Sequence, residues 1–403
     1  MHFALIIDDY LPHSTRVGAK MYHDLAKELI QQGHQVTVIT PHFDKHQSRL
    51  LESSLEGVTV WRFYSGQIKD VPKVTRAVNE TLLSYNAWRA VKGKINKHTF
   101  DGVVYYSPSI FFGSLVSKIK KRCLCSSYLV LRDFFPQWAI DSDLIRAGSL
   151  IEQYFRYFEK QSYKVADTIG VMSERNLEIF YQATASRYPS EILRNWASLT
   201  PHQMNYEAID LRAQLSLTDE VIFFYGGNIG HAQDMTNLMR LAKGMQRYTK
   251  AHFLFVGQGD EVELIKTLAD DWELDNFSYL PSVNQEVFKD ILAQVDVGLF
   301  SLSAKHTAHN FPGKLLGYMV QSLPILGSVN QGNDLIELVN VNSAGLITVN
   351  GDDEQFLINA VNLLEDASYR SKVGRAGYRL LKEEFAVYSI ASTIISKLEG
   401  HRN

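Results

Sequence analysis

The sequence of 403 residues is poor in cysteine, with only Cys123 and Cys125. One residue apart, they supply neither a disulfide framework nor a zinc site. They are expected as small, reduced side chains in a reducing compartment. No uncharged run is long enough for a membrane-spanning helix, and the longest, residues 102–117, reads as strand, turn and helix. The short apolar run 3–7 ends at Asp8 and Asp9, which does not fit a signal peptide. No basic–aromatic module is present, which argues against a nucleic-acid partner. Repeats and low-complexity tracts are also absent. The stretch Gly257-Gln-Gly-Asp-Glu-Val262 lacks the third glycine of a dinucleotide fingerprint. His306 and His309 lack an evident third ligand, so no metal site is expected.

What is present reads as a soluble globular protein, 45% hydrophobic and 21% charged. The length exceeds one ordinary core and predicts two domains. A net charge of −3 hides an asymmetry. Residues 1–200 hold 25 Lys and Arg against 19 Asp and Glu, a balance of +6, and the remainder holds 16 against 25. The basic half suits an anionic partner, a phosphate-bearing molecule or a membrane surface, or it is an unevenly charged solvated face.

Apolar runs at 2–7, 36–40, 58–63, 103–107, 128–131 and 168–171 predict strands. A helix is expected from Gly18, with Met21, Leu25, Ala26 and Leu29 on one face, and a long amphipathic helix over 71–95. Residues 199–217 break the rhythm and read as a linker. Strands then recur at 221–225, 252–256, 277–280, 297–300, 324–326 and 345–347, alternating with helices, and 369–397 is helical. The pattern predicts an α/β protein of two Rossmann-like, doubly wound domains facing across a cleft.

The most informative stretch is Phe223-Phe-Tyr-Gly-Gly-Asn-Ile-Gly230, an apolar strand running into a glycine-rich turn. Glycines let backbone N–H groups approach a phosphate, and a helix N-terminus adds positive potential. Asn310-Phe-Pro-Gly-Lys314 puts a lysine beside a glycine after a second apolar strand. Lys314 is expected either as an anion ligand that meets charge on a departing diphosphate, or as a solvated lysine at a helix start. Asp133 follows the strand at 128–131, where α/β sheets carry catalytic groups. It reads as a general base, as a partner orienting Arg132, or as an ordinary ion-paired aspartate. Glu174 reads as a substrate ligand or a helix-cap partner. Residues 107–122, apolar and then basic, read as a helix packed on the sheet or as a membrane-facing element.

The chain resembles the GT-B glycosyltransferases, specifically family 4, along nearly its whole length. Val17-Gly-Ala-Lys, Leu25-Ala-Lys-Glu-Leu and Gly33-His-Gln-Val-Thr-Val are similar to that family's opening unit. Val171-Met-Ser-Glu174, Leu193-Arg-Asn-Trp196, Phe255-Val-Gly-Gln-Gly-Asp260, Ala293-Gln-Val-Asp-Val-Gly-Leu299 and Ser322-Leu-Pro-Ile325 fit later parts. The wording Gly-Asn-Ile-Gly and Pro-Gly-Lys-Leu-Leu-Gly-Tyr-Met is most similar to the N-acetyl-L-fucosamine (L-fucosamine) transferases of bacterial O-antigen assembly. The resemblance implies a transferase that moves N-acetyl-L-fucosamine from a UDP-sugar donor to a lipid-diphosphate-linked sugar, undecaprenyl-diphosphate GlcNAc, in lipopolysaccharide O-antigen or capsule synthesis. It implies no cofactor and no metal, a cytoplasmic location and peripheral contact with the inner face of the membrane. Retention is the expected stereochemistry, with inversion if Asp133 is a base on the opposite face. Alternatives are another UDP or GDP sugar, a sugar-nucleotide epimerase, or a weakly catalytic scaffold of an assembly complex.

The implied domains are 1–198 for the acceptor, 199–217 as linker, 218–380 for the nucleotide sugar, and a helix within 381–403 packing back on the first domain. Asp133, Arg132 and Lys314 carry the implied catalysis. Gly18, Gly227, Asn228, Gly230, Gln233, Gly257, Val283, Gly313 and Lys314 would hold the donor, and Arg16, Glu174 and Asn195 the acceptor. The sequence departs from the family at several of these places. The usual arginine and, five residues on, lysine after the glycine turn are Asn228 and Gln233. The glutamates eight apart are His309 and Gly317, and the histidine before the aspartate is Arg132.

Overall fold

The computed structural model describes residues 1–401 apart from Thr15, Lys69, Asp70, Pro108, Ser142, 205–208 and 305–311, and apart from the side chain of Lys73. The chain forms two compact units, one of residues 1–196 and 387–403, the other of 197–386.

The first unit runs β1 (His2–Ile6), α1 (Val17–Gln31), β2 (Gln35–His42), β3 (Leu50–Leu55), β4 (Val58–Tyr64), α2 (Lys73–Thr81), α3 (Leu83–Val91), β5 (Gly102–Ser107), α4 (Gly113–Cys123), β6 (Ser126–Leu131), α5 (Gln137–Asp141), α6 (Leu150–Val165), β7 (Thr168–Val171), α7 (Glu174–Thr184) and β8 (Ser190–Ile192). Its 8-stranded sheet has the order β3-β4-β2-β1-β5-β6-β7-β8. All pairs are parallel except β3 with β4. That antiparallel hairpin turns through Glu56 and Gly57, both at positive φ, the backbone of a two-residue turn that follows the strand twist. Strand order reverses between β1 and β5, and crevices at such points receive ligands at the carboxyl ends of the strands.

Both faces of this sheet are covered, so its central strands read as unbroken apolar runs. Phe3, Leu5, Val104, Tyr128 and Val130 bury one face against α1, while Ala4, Ile6, Val103, Tyr105, Leu129 and Leu131 bury the other against α3 and α4. The helix expected over 71–95 bends at Leu82 into α2 and α3. Residues 107–122 are not a membrane-facing element. Ile110, Phe111, Phe112, Leu115, Val116 and Ile119 are buried in the core.

The second unit runs α8 (Leu211–Gln214), β9 (Val221–Asn228), α9 (Met235–Met245), β10 (Ala251–Gln258), α10 (Val262–Asp271), β11 (Phe277–Pro281), α11 (Gln285–Leu292), β12 (Val297–Ser301), α12 (Gly313–Val320), β13 (Ile325–Val329), α13 (Asp334–Val341), β14 (Gly345–Val349), α14 (Asp353–Glu365) and α15 (Ala367–Glu384). The 6-stranded sheet has the order β11-β10-β9-β12-β13-β14, wholly parallel, and its order reverses between β9 and β12.

Part of the segment read as a linker packs on the second unit. Leu211 is fully buried in the second core, with Leu199, Leu215 and Leu217 packed against it. The helical region at 369–397 is divided at Phe385 and Ala386. The amide of Ala197 donates to Phe385 O at 3.0 Å, and Ala197 pairs with Ala386 in a parallel bridge. Leu380 and Leu381 stay in the second core. Only the last helix, α16 (Val387–Gly400), returns to the first unit, where Val387, Ile390, Ala391, Ile394 and Leu398 join the core beside α1. Among the described residues no helix is long and apolar enough to cross a membrane.

Candidate functional site

In the second unit the strand order reverses between β9 and β12, which pair only through Phe223 and Phe224 with Val297 and Gly298, before the glycine-rich end of β9. β9 ends in Gly226, Gly227 and Asn228, paired in register with Val256, Gly257 and Gln258 of β10. Gly227 has φ +115°, open to glycine alone at little cost. Gly257 is needed for a different reason, because a Cβ there would collide with Gly227 O. Gly257→Ala is therefore expected to destabilise the protein by about 1–3 kcal/mol through overpacking. Thermal denaturation checks this, and an unchanged midpoint would refute the close approach.

Lys314, in the first turn of α12, reaches over this turn. Its Nζ lies 3.8 Å from the centroid of the Tyr225 ring. A Cβ on Gly227 would be 3.7 Å from the same nitrogen. The aliphatic stem is half-buried, but the amine is cut off from solvent and has no hydrogen-bond partner among the described residues. Desolvation pulls it down from the ordinary lysine value to about 7. A buried amine without a partner is costly, and an arriving anion would supply the missing interaction. Lys314 is thus not the solvated helix-start lysine that its sequence position also allowed. Gly313 opens α12.

The two residues at the family's cation positions meet as a neutral pair. Asn228 Nδ2 donates to Gln233 Oε1 at 2.8 Å. Gly230 lies against them, where a Cβ would sit 2.7 Å from both Asn228 Nδ2 and Asp260 Oδ1. Sequence reasoning missed the imidazole that stands next in this turn, His231. Its Nδ1 lies 2.7 Å from Glu261 Oε1 and its Nε2 lies 3.3 Å from Asp260 Oδ2. The hydrogen bond to Glu261, then the charges of Asp260 and Glu261, raise its pKa. Glu261 also accepts from the Met235 amide at the start of α9, at 3.2 Å. The signal available was a histidine following the glycine turn and an Asp-Glu pair after the next strand. Val283 packs against the second core as a partly buried side chain. His306 and His309 lie outside the described residues.

In the first unit Arg132 and Asp133 follow β6 and diverge. Arg132 is 7% exposed. Its Nη2 donates to Arg194 O at 3.0 Å, and the guanidinium lies 5.3 Å from the centroid of the Trp196 ring. Desolvation brings its pKa down to about 10. Burial pushes the Asp133 carboxyl up to about 6, outweighing the lowering effect of the Trp138 indole and the Phe135 amide that face it. An acid near that value is well placed to exchange a proton at neutral pH.

Gly18 is small because of its protein neighbour: a Cβ would stand 2.9 Å from Tyr106 Oη. Asn195 is buried between Arg194 and Trp196. Arg16 is exposed, 3.6 Å from Asp9. Glu174 opens α7 and pairs with Arg194 Nη2 at 2.7 Å. The structure therefore sets Arg132 against Trp196 and Gly18 against Tyr106, buries Asn195, and leaves Arg16 and Glu174 at the surface.

Residues 208–380 match the family model described as glycosyl transferases group 1. No curated protein matches the chain. Solved structures of the same fold include sucrose-phosphate synthase from Thermosynechococcus elongatus, with TM-score 0.71 and 16% identity over 98% of this chain and 97% of that one. WaaG, a glycosyltransferase involved in lipopolysaccharide biosynthesis, has TM-score 0.66 and 12% identity over 99% and 100%. HepE from Anabaena, in complex with UDP-glucose, has TM-score 0.68 and 15% identity over 99% and 100%. The architecture is GT-B, two parallel-sheet α/β units, and the family match across the second unit supports a glycosyltransferase.

Proposed function

We propose that the protein transfers N-acetyl-L-fucosamine from its UDP donor to a lipid-diphosphate-linked sugar, undecaprenyl-diphosphate GlcNAc, during O-antigen or capsule synthesis. The observation that carries a nucleotide-diphosphate donor is the Lys314 amine, buried and without a described partner over the Gly227 turn. HepE, of the same fold, has been solved with UDP-glucose. Lys314 and the N-terminus of α12 offer the positive charge that a departing diphosphate needs, so the reaction is proposed to run without a metal.

A lipid-linked acceptor draws support from the surface near Asp133. Val74 and Val78 of α2, Leu82 and Tyr85 beside them, and Leu150 and Ile151 of α6 are all exposed. The hydroxyls of Thr81 and Tyr154 join α2 to α6 through a hydrogen bond. From there an aromatic run leads inward. Tyr154 meets Phe155 at 5.3 Å, Phe155 meets Phe135 at 4.8 Å, and Phe135 meets Trp138, the partner of Asp133, at 6.0 Å. Exposed Arg89 and Lys92 lie on and just beyond α3, and exposed Lys160 and Lys164 lie on α6. Apolar groups with basic neighbours suit an anionic bilayer. The double variant Val78→Asp/Ile151→Asp is expected to lose at least about tenfold in partitioning to phosphatidylglycerol vesicles, since each change puts a charge where exposed apolar area would enter the bilayer. Cosedimentation measures it, and equal binding by both proteins would remove this surface from the membrane.

The test of the whole reading is transfer from UDP-N-acetyl-L-fucosamine to undecaprenyl-diphosphate GlcNAc, followed by mass spectrometry with and without EDTA. A product of one added sugar, insensitive to EDTA, is expected. Preference for GDP over UDP in calorimetry would replace the donor. UDP-sugar binding without transfer to any lipid-linked acceptor would sink the transferase.

A further inference from the structure

Arg132 is a buried cation whose surroundings do not account for it. Its Nε and Nη1 are both buried and have no hydrogen-bond partner among the described residues. It forms no ion pair with any described carboxylate, and the titratable groups that bear on it are the phenols of Tyr106, Tyr22 and Tyr128. Asp133, its chain neighbour, is engaged by Trp138 and Phe135. Asp8 acts on the phenols of Tyr22 and Tyr106, and Asp133 on that of Tyr106, while neither is among the groups that bear on the guanidinium. Another polar atom nearby is buried without a partner, Tyr22 Oη. Tyr22 packs edge-on to Tyr106 at 4.9 Å. Unmet donors on a guanidinium and a hydroxyl thus collect beside the carboxyl ends of β5 and β6, next to the strand-order reversal of the first unit.

We infer that Arg132, with the hydroxyl of Tyr22, forms an oxyanion-binding site for the acceptor. Buried donors without partners cost free energy until a ligand meets them. A guanidinium gains most from a phosphate or carboxylate, through charge-assisted hydrogen bonds. The stack on Trp196 and the bond to Arg194 O fix the guanidinium in place before the ligand arrives, which limits the entropy lost on binding. Two acceptor groups share this chemistry, a phosphate of the lipid diphosphate and the carboxylate of an acidic sugar. The inference rests on the transferase reading for the word acceptor, but not for the site.

The test is calorimetry of the full chain with sodium pyrophosphate and with glucuronate, in a Lys314→Ala background that removes the cation of the other unit. One of the two probes is expected to bind Lys314→Ala and to weaken at least about tenfold in Lys314→Ala/Arg132→Gln, as loss of a charge-assisted contact demands. Pyrophosphate as that probe assigns the lipid diphosphate, and glucuronate assigns an acidic sugar. Arg132→Lys is expected to retain part of the affinity. Thermal denaturation guards against a folding defect. Removing an unpaired buried cation should leave the midpoint of the ligand-free protein unchanged or higher. A lower midpoint, with neither probe discriminating the two backgrounds, would make Arg132 structural and overturn the site. Loss of UDP binding in Arg132→Gln alone would give the guanidinium to the donor and overturn its assignment to the acceptor.

Discussion

Lys314→Ala is expected to weaken UDP binding by about a hundredfold, because truncating one partner of a buried charge pair costs about 2–5 kcal/mol. The amine is hidden over the Gly227 turn and has no described partner, so nothing in the protein replaces it once a diphosphate has arrived. The pH dependence follows from its lowered pKa of about 7 in the free protein. Below that value the amine is charged and ready for an anion. Above it a proton must be taken up on binding, so the UDP dissociation constant should rise about tenfold per pH unit until another group intervenes. Stability without ligand runs the other way. A lysine with a depressed folded pKa binds fewer protons than its unfolded counterpart between about 7 and the ordinary lysine value, so this group contributes increasing stability as pH rises through that window. Calorimetry with UDP from pH 6 to 9, and thermal melts over the same range, check both signs. UDP affinity that Lys314→Ala leaves intact would remove the lysine from the donor site.

Lys314 also shows how much of the site the sequence made legible. Its proximity to a glycine and an apolar strand marked it as a candidate anion ligand, but burial of the amine depends on Tyr225, 89 positions earlier, which no local pattern connects to it. The Asn228–Gln233 pair looked like two lost cations. Only the three-dimensional turn shows that these amides satisfy each other and that His231, held by Glu261, stands beside them. The strands of both sheets were readable because parallel strands buried on two faces are continuous apolar runs. β3 and β8 were not, since Leu-Leu-Glu-Ser-Ser-Leu lies at one sheet edge with its middle exposed and β8, at the other edge, is only 3 residues long. The break at Phe385 and Ala386 was hidden inside a helical periodicity, because its cause is a bridge to Ala197 far along the chain. The stretch at 107–122 allowed a helix packed on the sheet or a membrane-facing element, and its apolar residues fill the core. Exposed apolar residues lie instead on α2 and α6, and an exposed apolar face has the same helical period as a packed one.

Asp133→Asn is expected to lower the transfer rate by about 10²–10⁴-fold, the range for loss of a positioned acid–base group, while making the protein more stable at neutral pH. The two effects share one cause. Burial holds the carboxyl at about 6 against an ordinary 3.8. The native state therefore binds more protons than the unfolded state between those values, and stability falls as pH rises through that window. Above about pH 6 the ionised carboxylate costs about 2–3 kcal/mol, which asparagine does not incur. Melting temperatures of the two proteins should converge below about pH 4 and separate above 6, with the variant higher. Activity of the wild type should rise with pH through about 6, since only the ionised form accepts a proton from the acceptor hydroxyl. A variant that is inactive and more stable would mark Asp133 as a group kept for chemistry at the expense of the fold. A variant that is less stable, with activity reduced only in proportion, would make it a structural partner of Trp138. NMR of the product anomer then separates its two catalytic roles. Inversion would follow from a base opposite the leaving group. Retention would leave Asp133 to position the acceptor while the departing phosphate takes the proton.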